Sequence, residues 1–438
     1  MKTIKRYCFE GNITYYGTNE EVLIPDVYQE KDEETRGVWF STVANIDIPQ
    51  MLDVSEKSIN DLKKYLDGVI DKLKEYHMNT CVFQVRPVND ALYESSLNPW
   101  SSVLTGVEGK NPGFDVFGYF CNKAKENDIK VHAWINPYRA GRDDIKELGM
   151  SKEEFINGLA ENSFARLYPE CTVLTKQNKL SLDPSNDFVI DYIVRTVREI
   201  AEKYDIKAIH IDDYFYPYEG IEDPLEEEKC KNSGFENIND FRRNNVNKLI
   251  KKISDELKSL DKKVEFGISP FSIYRTNKAL FTDIVDEEAA WEFGSNNHPS
   301  CFNCYKGLYA DVYLWMKEGW IDYVVPQDYF DLDNTTVNSD GSLRCVVRYA
   351  DVAKWWSNIC EKTNTKLYMG QGIYKCSNEG SWSNPYEIAN QLMFNQTLAN
   401  VSGTIFFTYR DFVKEDVEAK SKARDTLKTM WTKEAKEI

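Results

Sequence analysis

Asp212 and Asp213 stand side by side at the end of an apolar run, Ala208-Ile209-His210-Ile211, and are followed by Tyr214-Phe215-Tyr216-Pro217-Tyr218. A carboxylate at the end of a buried strand is costly unless something pairs with it or uses it. Two carboxyl groups can do complementary work at an acetal. One stabilises or attacks an oxocarbenium-like centre, and the other protonates the leaving oxygen. Aromatic rings beside them offer a flat apolar surface for the C–H face of a sugar. The residue types therefore point to glycoside hydrolysis. Side chains alternate along a strand, so a regular strand puts His210 and Asp212 on one face and Ile209, Ile211 and Asp213 on the other. The polar face suits a ligand site. Asp212 is thus the first candidate catalytic carboxylate, and Asp213 is expected to orient a neighbour or a loop. The alternative for Asp212 is an ion pair with Arg86 or Arg139.

The partner acid is less determined. Asp328 closes another apolar run and could face Asp212. Glu287, Glu288 and Glu292 lie in a loop rich in aromatics and Asn, Trp291-Glu292-Phe293-Gly294-Ser295-Asn296-Asn297-His298, and could also reach in. Retaining or inverting chemistry depends on the carboxyl separation and stays open.

These groups need a frame, and the hydropathy pattern supplies one. Strand-like runs are predicted at Arg36–Val43, Thr80–Pro87, Lys130–Tyr138, Ala208–Phe215, Val264–Phe271, Tyr323–Phe330, Lys366–Tyr374 and Gly403–Tyr409. Helical spacing follows each in turn, at Ser58–His77, Phe114–Asn127, Asp187–Tyr204, Ile238–Leu260, Tyr305–Glu318, Cys345–Lys362, Pro385–Asn400 and Val417–Trp431. A further short helix is expected at Ser151–Glu161, and Asp183-Pro184 reads as a helix start. Eight strand-then-helix units predict an α/β fold, a (β/α)8 TIM barrel with long βα loops. The near-continuous apolar strands fit burial on both faces of a parallel sheet. Residues 1–35 read as a short N-terminal extension, a candidate hairpin, and 36–438 as one catalytic domain.

In such a barrel the active site lies at the C-terminal strand ends. There this chain is polar and aromatic almost throughout. The candidates for substrate binding are Asn45, Gln84, Arg86, Trp134, Asn136, Tyr138, His210, Tyr214, Gln327, Tyr329, Gln371 and Tyr409.

Composition narrows the partners. With 71 Asp and Glu against 54 Lys and Arg, the net charge is -17, which argues against nucleic acid and anionic membrane surfaces. The ten Tyr-accompanying Trp and the 26 Tyr are generous for packing alone and favour an oligosaccharide or polysaccharide ligand. Only four His are present, and Cys301/Cys304 form the sole CxxC, so no metal and no other cofactor is expected. The ten scattered Cys fit reduced thiols. P-loop, GxSxG and dinucleotide fingerprints are missing. No run of 18 apolar residues exists to span a membrane. The start Met1-Lys2-Thr3-Ile4-Lys5-Arg6 lacks an apolar h-region, so the sequence as given reads as cytoplasmic, with the cell envelope as the alternative if a signal was removed.

The motifs also resemble a known family, the family 10-like glycosyl hydrolases (the DUF187 group, or GHL10). The matching residues are Arg36-Gly37-Val38-Trp39-Phe40-Ser41-Thr42-Val43-Ala44-Asn45-Ile46-Asp47, Phe83-Gln84-Val85-Arg86-Pro87, Asn98-Pro99-Trp100-Ser101, His132-Ala133-Trp134-Ile135-Asn136-Pro137-Tyr138-Arg139, Ile209 to Pro217, Phe266-Gly267-Ile268-Ser269-Pro270-Phe271, and Gly319 to Gln327. The resemblance implies a bacterial (β/α)8 glycoside hydrolase acting on a glycan such as cell-wall peptidoglycan, with the Asp212-Asp213 pair at the core of the site. It also adds Trp39 to the substrate-binding set. The fourth-strand pattern is similar to that of the α-amylase superfamily, which favours Asp212 over Asp213. Two features depart from the family: Asp328 stands where relatives carry an apolar residue, and loop 281–304 lacks the Gly/Ser-rich pattern. The competing readings are a non-catalytic carbohydrate-binding barrel and, more remotely, a barrel isomerase or aldolase, which lacks a convincing strand-end Lys.

Overall fold

The computed structural model describes residues 1–277, 294–415 and 417–438. Eight parallel strands close into a barrel: β1 Thr35–Phe40, β2 Thr80–Arg86, β3 Lys130–Ile135, β4 Ala208–Ile211, β5 Glu265–Ile268, β6 Tyr323–Val324, β7 Lys366–Gln371 and β8 Val401–Phe406. β8 pairs with β1 to complete the ring, Gly403 opposite Thr35 and Phe406 opposite Val38. The helices that follow them are α1 Glu56–Glu75, α2 Val116–Glu126, α3 Asp187–Lys203, α4 Ile238–Lys258, α5 Val312–Lys317, α6 Tyr349–Thr363, α7 Glu387–Asn395 and α8 Glu418–Met430. The eight predicted strand-then-helix units are thus the architecture.

Each helix turns an apolar stripe onto the barrel. In α3 the buried residues Val189, Ile190, Ile193, Val197 and Ile200 recur at helical spacing. Side-chain caps start several helices, Ser55 for α1, Asp115 for α2 and Asn237 for α4. Asp183-Pro184 does not begin α3. Asn186 caps it, while Asp183 binds Ser185 and Lys229.

Three predicted elements are shorter than their pattern. The helix expected over Tyr305–Glu318 is broken: Cys304–Gly307 forms one turn, Tyr309 takes φ 57°, and Asp311 then caps α5. The strand expected over Tyr323–Phe330 holds ladder pairing only at Tyr323–Val324, because Pro326 has no N–H to donate. Gln327 still bridges Phe271 and Gly370 beyond it. The helix expected over Ser151–Glu161 is Lys152–Asn157, begun by a Ser151–Glu154 capping box.

The N-terminal extension pairs Lys2–Thr3 antiparallel with Leu23–Ile24. Ile4, Ile13, Val22 and Ile24 join the main core, and Tyr16 N–H donates to Asp351 at the start of α6. It therefore packs on the barrel flank. At the barrel floor Glu34 N–H donates to Lys436 O, and Tyr368 Oη donates to Ile438 O at 2.9 Å.

The barrel interior has an unusual centre. Trp39, Val82, Trp134, Ala208, Tyr323, Val325, Tyr368 and Ile405 form its apolar lining. Through it runs a hydrogen-bonded column. Trp39 Nε1 lies 3.4 Å from His210 Nε2, His210 Nδ1 lies 3.0 Å from Tyr323 Oη, and Tyr323 Oη lies 2.8 Å from His132 Nδ1. His132 Nε2 then faces Glu437 at 3.7 Å. An indole N–H only donates, so with His210 Nε2 accepting from Trp39 and from the Ser269 hydroxyl at 2.8 Å, Nδ1 carries the proton. The Tyr323 hydroxyl then accepts from His210 and donates to His132. Burial holds His210 neutral, far below the usual imidazole range. Gly267 makes room for this column: a Cβ there would lie 1.8 Å from Tyr323 Cζ.

Candidate active site

β4 carries the candidate carboxylates to the C-terminal mouth. His210 and Asp212 share the inward face, as their spacing predicts. Regular pairing stops at Ile211, so the chain is free to turn at Asp212 and both acids are directed to the site. Asp212 is 7% exposed and receives four contacts from three donors. Trp134 Nε1 donates at 3.0 Å, Asn136 Nδ2 sits 3.2 and 3.3 Å from the two oxygens, and Tyr214 N–H donates at 3.0 Å. Burial raises its pKa, while the Arg139 charge and these donors act the other way.

Asp213 is partly exposed and differently held. Gln327 Nε2 donates to it at 3.0 Å, and Tyr218 Oη donates to its other oxygen. Gln327 is itself fixed by Ser269 O at 2.9 Å. Burial and the neighbouring Asp212 push the Asp213 carboxyl up to about 6. The two acids thus share a raised pKa but differ in what holds them, Asp212 by three donors with Arg139 nearby and Asp213 by Gln327 and Tyr218. The pair titrates as a unit, and Asp212, though the more buried, has the larger set of hydrogen-bond donors for a negative charge.

Aromatic rings wall this mouth. Tyr329 meets Trp39 edge-on at 6.5 Å and Phe407 at 5.9 Å, and its phenol is raised by burial, with Tyr374, Asp213 and Asp212 adding to the effect. Tyr214 and Tyr218 lie 5.9 Å apart, and Tyr218 stacks on Phe302 at 5.2 Å.

The structure therefore gathers Trp134, Asn136, Tyr214, Gln327 and Tyr329 around the Asp212-Asp213 pair, whereas the expected binding residues Trp39 and His210 are buried in the barrel interior. Other expected residues serve the frame. Arg86 is fully buried and spends its guanidinium on Asn98, Asn89 and the carbonyls of Asn136 and Pro137. Gln84 Oε1 accepts from the N–H groups of Thr42 and Val43, and Asn45 Nδ2 donates to Ile48 O and Val103 O. Gln371 donates to Gln391, Tyr138 is buried, and Tyr409 packs on Phe40 at 5.5 Å.

Asp328 corrects an expectation. It does not face Asp212. From Tyr323 on, the inward positions are Tyr323, Val325, Gln327 and Tyr329, so Asp328 points outward toward Asp351 and Tyr349 of α6. It is completely buried, and neither oxygen finds a well-formed hydrogen bond, so burial drives its pKa far up and keeps it protonated. Glu287, Glu288 and Glu292 lie outside the described residues.

Sequence reasoning also left residues unassigned. Tyr218, Ser269 and Tyr323 fix Asp213, Gln327 and His210, yet a single Tyr or Ser in a loop or strand carries no signal of such a partner. Glu219 also went unmarked: its Oε1 is buried without a partner, and its charge is felt at Tyr214.

Comparisons agree with this geometry. The sequence profile described as glycosyl hydrolase-like 10 matches residues 34–387. The chain is 34% identical over 406 residues to glycosyl hydrolase YngK of Bacillus subtilis (strain 168), covering 91% of this chain and 72% of that protein. It is 31% identical over 398 residues to glycosyl hydrolase DigH of Escherichia coli (strain K12), covering 87% and 84%. Among solved structures, α-L-fucosidase isoenzyme 2 from Paenibacillus thiaminolyticus superposes with a TM-score of 0.51 at 11% identity. The match takes in 91% of this chain and about half the fucosidase (49%), and it speaks to the shared barrel alone.

Proposed function

The chain belongs to the glycosyl hydrolase-like 10 family, and from that premise we propose that it hydrolyses O-glycosidic bonds of a bacterial glycan, with cell-wall peptidoglycan as the polymer. The observation that carries the reading is the unequal acid pair at the barrel mouth. Asp212, with three hydrogen-bond donors and Arg139 nearby, is the carboxylate that stabilises positive charge at the anomeric carbon. Asp213 holds the proton that passes to the leaving oxygen. Tyr214 and Tyr329, both half-buried, present ring surface to the sugar, and the buried Trp39 packs behind Tyr329. The direct test is release of new reducing ends from purified peptidoglycan glycan strands. Binding of those strands with no reducing ends after prolonged incubation would instead favour the carbohydrate-binding barrel.

A pH dependence follows from the assignment. A proton donor works only while protonated, so kcat/KM falls as pH rises through about 6, where Asp213 titrates. Tyr218 donates to Asp213 and favours its charged form. Tyr218→Phe should therefore shift that limb upward, by roughly half to one pH unit. A pH–rate profile of the two proteins measures it, and a limb that stays in place would separate Asp213 from the step.

A further inference from the structure

A second cleft of about 270 Å³ opens beside the acid pair. Its walls come from the loops after β1, β3 and β4, and from a small sheet in which Leu180–Leu182 pairs with Thr172–Thr175. Arg139, Arg142 and Lys179 line it, together with Tyr214, Thr175 and Ser181, and none of the described residues in its walls is acidic. Three cations without a wall carboxylate stand out in a chain of net charge -17.

The cations are unequally committed. Arg139 lies 4.3 Å above the Tyr214 ring and donates one N–H to Pro87 O at 3.1 Å, which fixes its plane at the cleft wall. Among the described residues the Lys179 ammonium is held only by Gln177 Oε1, at 3.1 Å. Arg142 is exposed and has no hydrogen-bond or ion-pair partner among the described residues. Glu219, whose charge reaches Tyr214, lies outside these walls. The cleft is continuous with the catalytic mouth, because Tyr214 forms its wall and its own N–H binds Asp212.

We propose that this cleft is a substrate subsite for a sugar bearing a carboxylate, and that Arg142 and Lys179 with Arg139 set the preference for that charged unit. The proposal rests on the glycosidase reading and names a specificity within it. A guanidinium fork matches a carboxylate in two parallel hydrogen bonds, and the stacked Arg139 loses little freedom on making them. The volume is slightly below the ~300 Å³ at which small-ligand pockets begin, which suits one sugar unit with its substituent.

The test compares chitin oligosaccharides with their carboxymethylated counterparts, which share the backbone and differ in charge. The wild type should favour the carboxymethylated oligosaccharide in kcat/KM, and a rise in ionic strength should shrink that advantage. In Arg142→Ala/Lys179→Ala the ratio of the two kcat/KM values should fall about tenfold or more. A merely structural lesion lowers both values together and leaves the ratio alone, and that result overturns the proposal. Sulfated oligosaccharides form a third arm: a preference for sulfate over carboxylate would overturn the ligand assignment. If the wild type cuts none of these, the glycosidase reading is decided separately, by its action on peptidoglycan strands. Calorimetric binding of the neutral and carboxymethylated oligosaccharides then still decides the subsite, since equal affinities would remove it.

Discussion

Asp212→Asn is expected to lower kcat by about 10⁴-fold or more while the barrel stays folded. The amide keeps the size of the carboxyl group, but Trp134 and Tyr214 donate to different carboxylate oxygens, so its single oxygen accepts from one of them and the other loses its acceptor. The amide cannot carry the negative charge that the developing oxocarbenium centre requires. Stability should rise. Both acids have folded pKa values above the ordinary aspartate value of 3.8, with Asp213 at about 6. A raised carboxyl pKa means the folded protein binds more protons than the unfolded chain between those two values. The acid pair therefore costs stability progressively as pH rises through about 4 to 6, and the cost stays in place above that window. An Asn at 212 removes one buried charge and relieves Asp213, so Tm at pH 7 should increase by a few degrees. Turnover by release of reducing ends and Tm by calorimetry check both halves. Retained turnover would remove Asp212 from the mechanism. Lost turnover with a lower Tm would point to a damaged fold.

The second large effect concerns the barrel wall. Gly267→Val should abolish soluble folding or cost more than about 4 kcal/mol. A Cβ at 267 would lie 1.8, 2.1 and 2.3 Å from three carbons of the Tyr323 ring, and that ring is packed between His132, His210 and Tyr368. No rotamer moves it aside without breaking its bonds to both histidines. Tyr323→Ala alone should cost about 3–5 kcal/mol through the cavity and the unpaired imidazoles. The double variant should be more stable than the two losses added together, because the valine fills space the ring vacated. Urea unfolding of the four proteins gives the coupling. Simple additivity would mean that the ring has another resting place.

Much of this was legible in the chain. Apolar runs of strand length alternate with amphipathic helices, and burial on both sheet faces leaves few other architectures for that order. Parity along Ala208–Ile211 placed His210 and Asp212 together on the inward face. The same rule fails to reach Asp328, because nothing in Tyr323–Phe330 marks which parity is inward. Its residues are apolar or aromatic on both faces until the ladder has already ended at Pro326. Arg86, Gln84 and Asn45 look like ligand-binding residues because strand ends are polar for two reasons. Long loops packed on a barrel rim leave many backbone groups to satisfy, and buried side chains satisfy them. Which polar groups face the cleft is decided by pairs distant in sequence, such as Gln327 with Asp213, and no local pattern encodes them.

The column from Trp39 through His210, Tyr323 and His132 to Glu437 also bears on descent. Every hydrogen bond from Trp39 to His132 points the same way, because the indole at its head can only give a proton, and Glu437 stands beyond as a charge 3.7 Å from His132. Replacing one member with a side chain of opposite polarity would leave two neighbours both offering or both awaiting a proton. Such residues should be inherited as a block. Divergence among relatives should then run through the loops and the outer helices, and a lineage that loses one link of the column is expected to replace the others with apolar side chains.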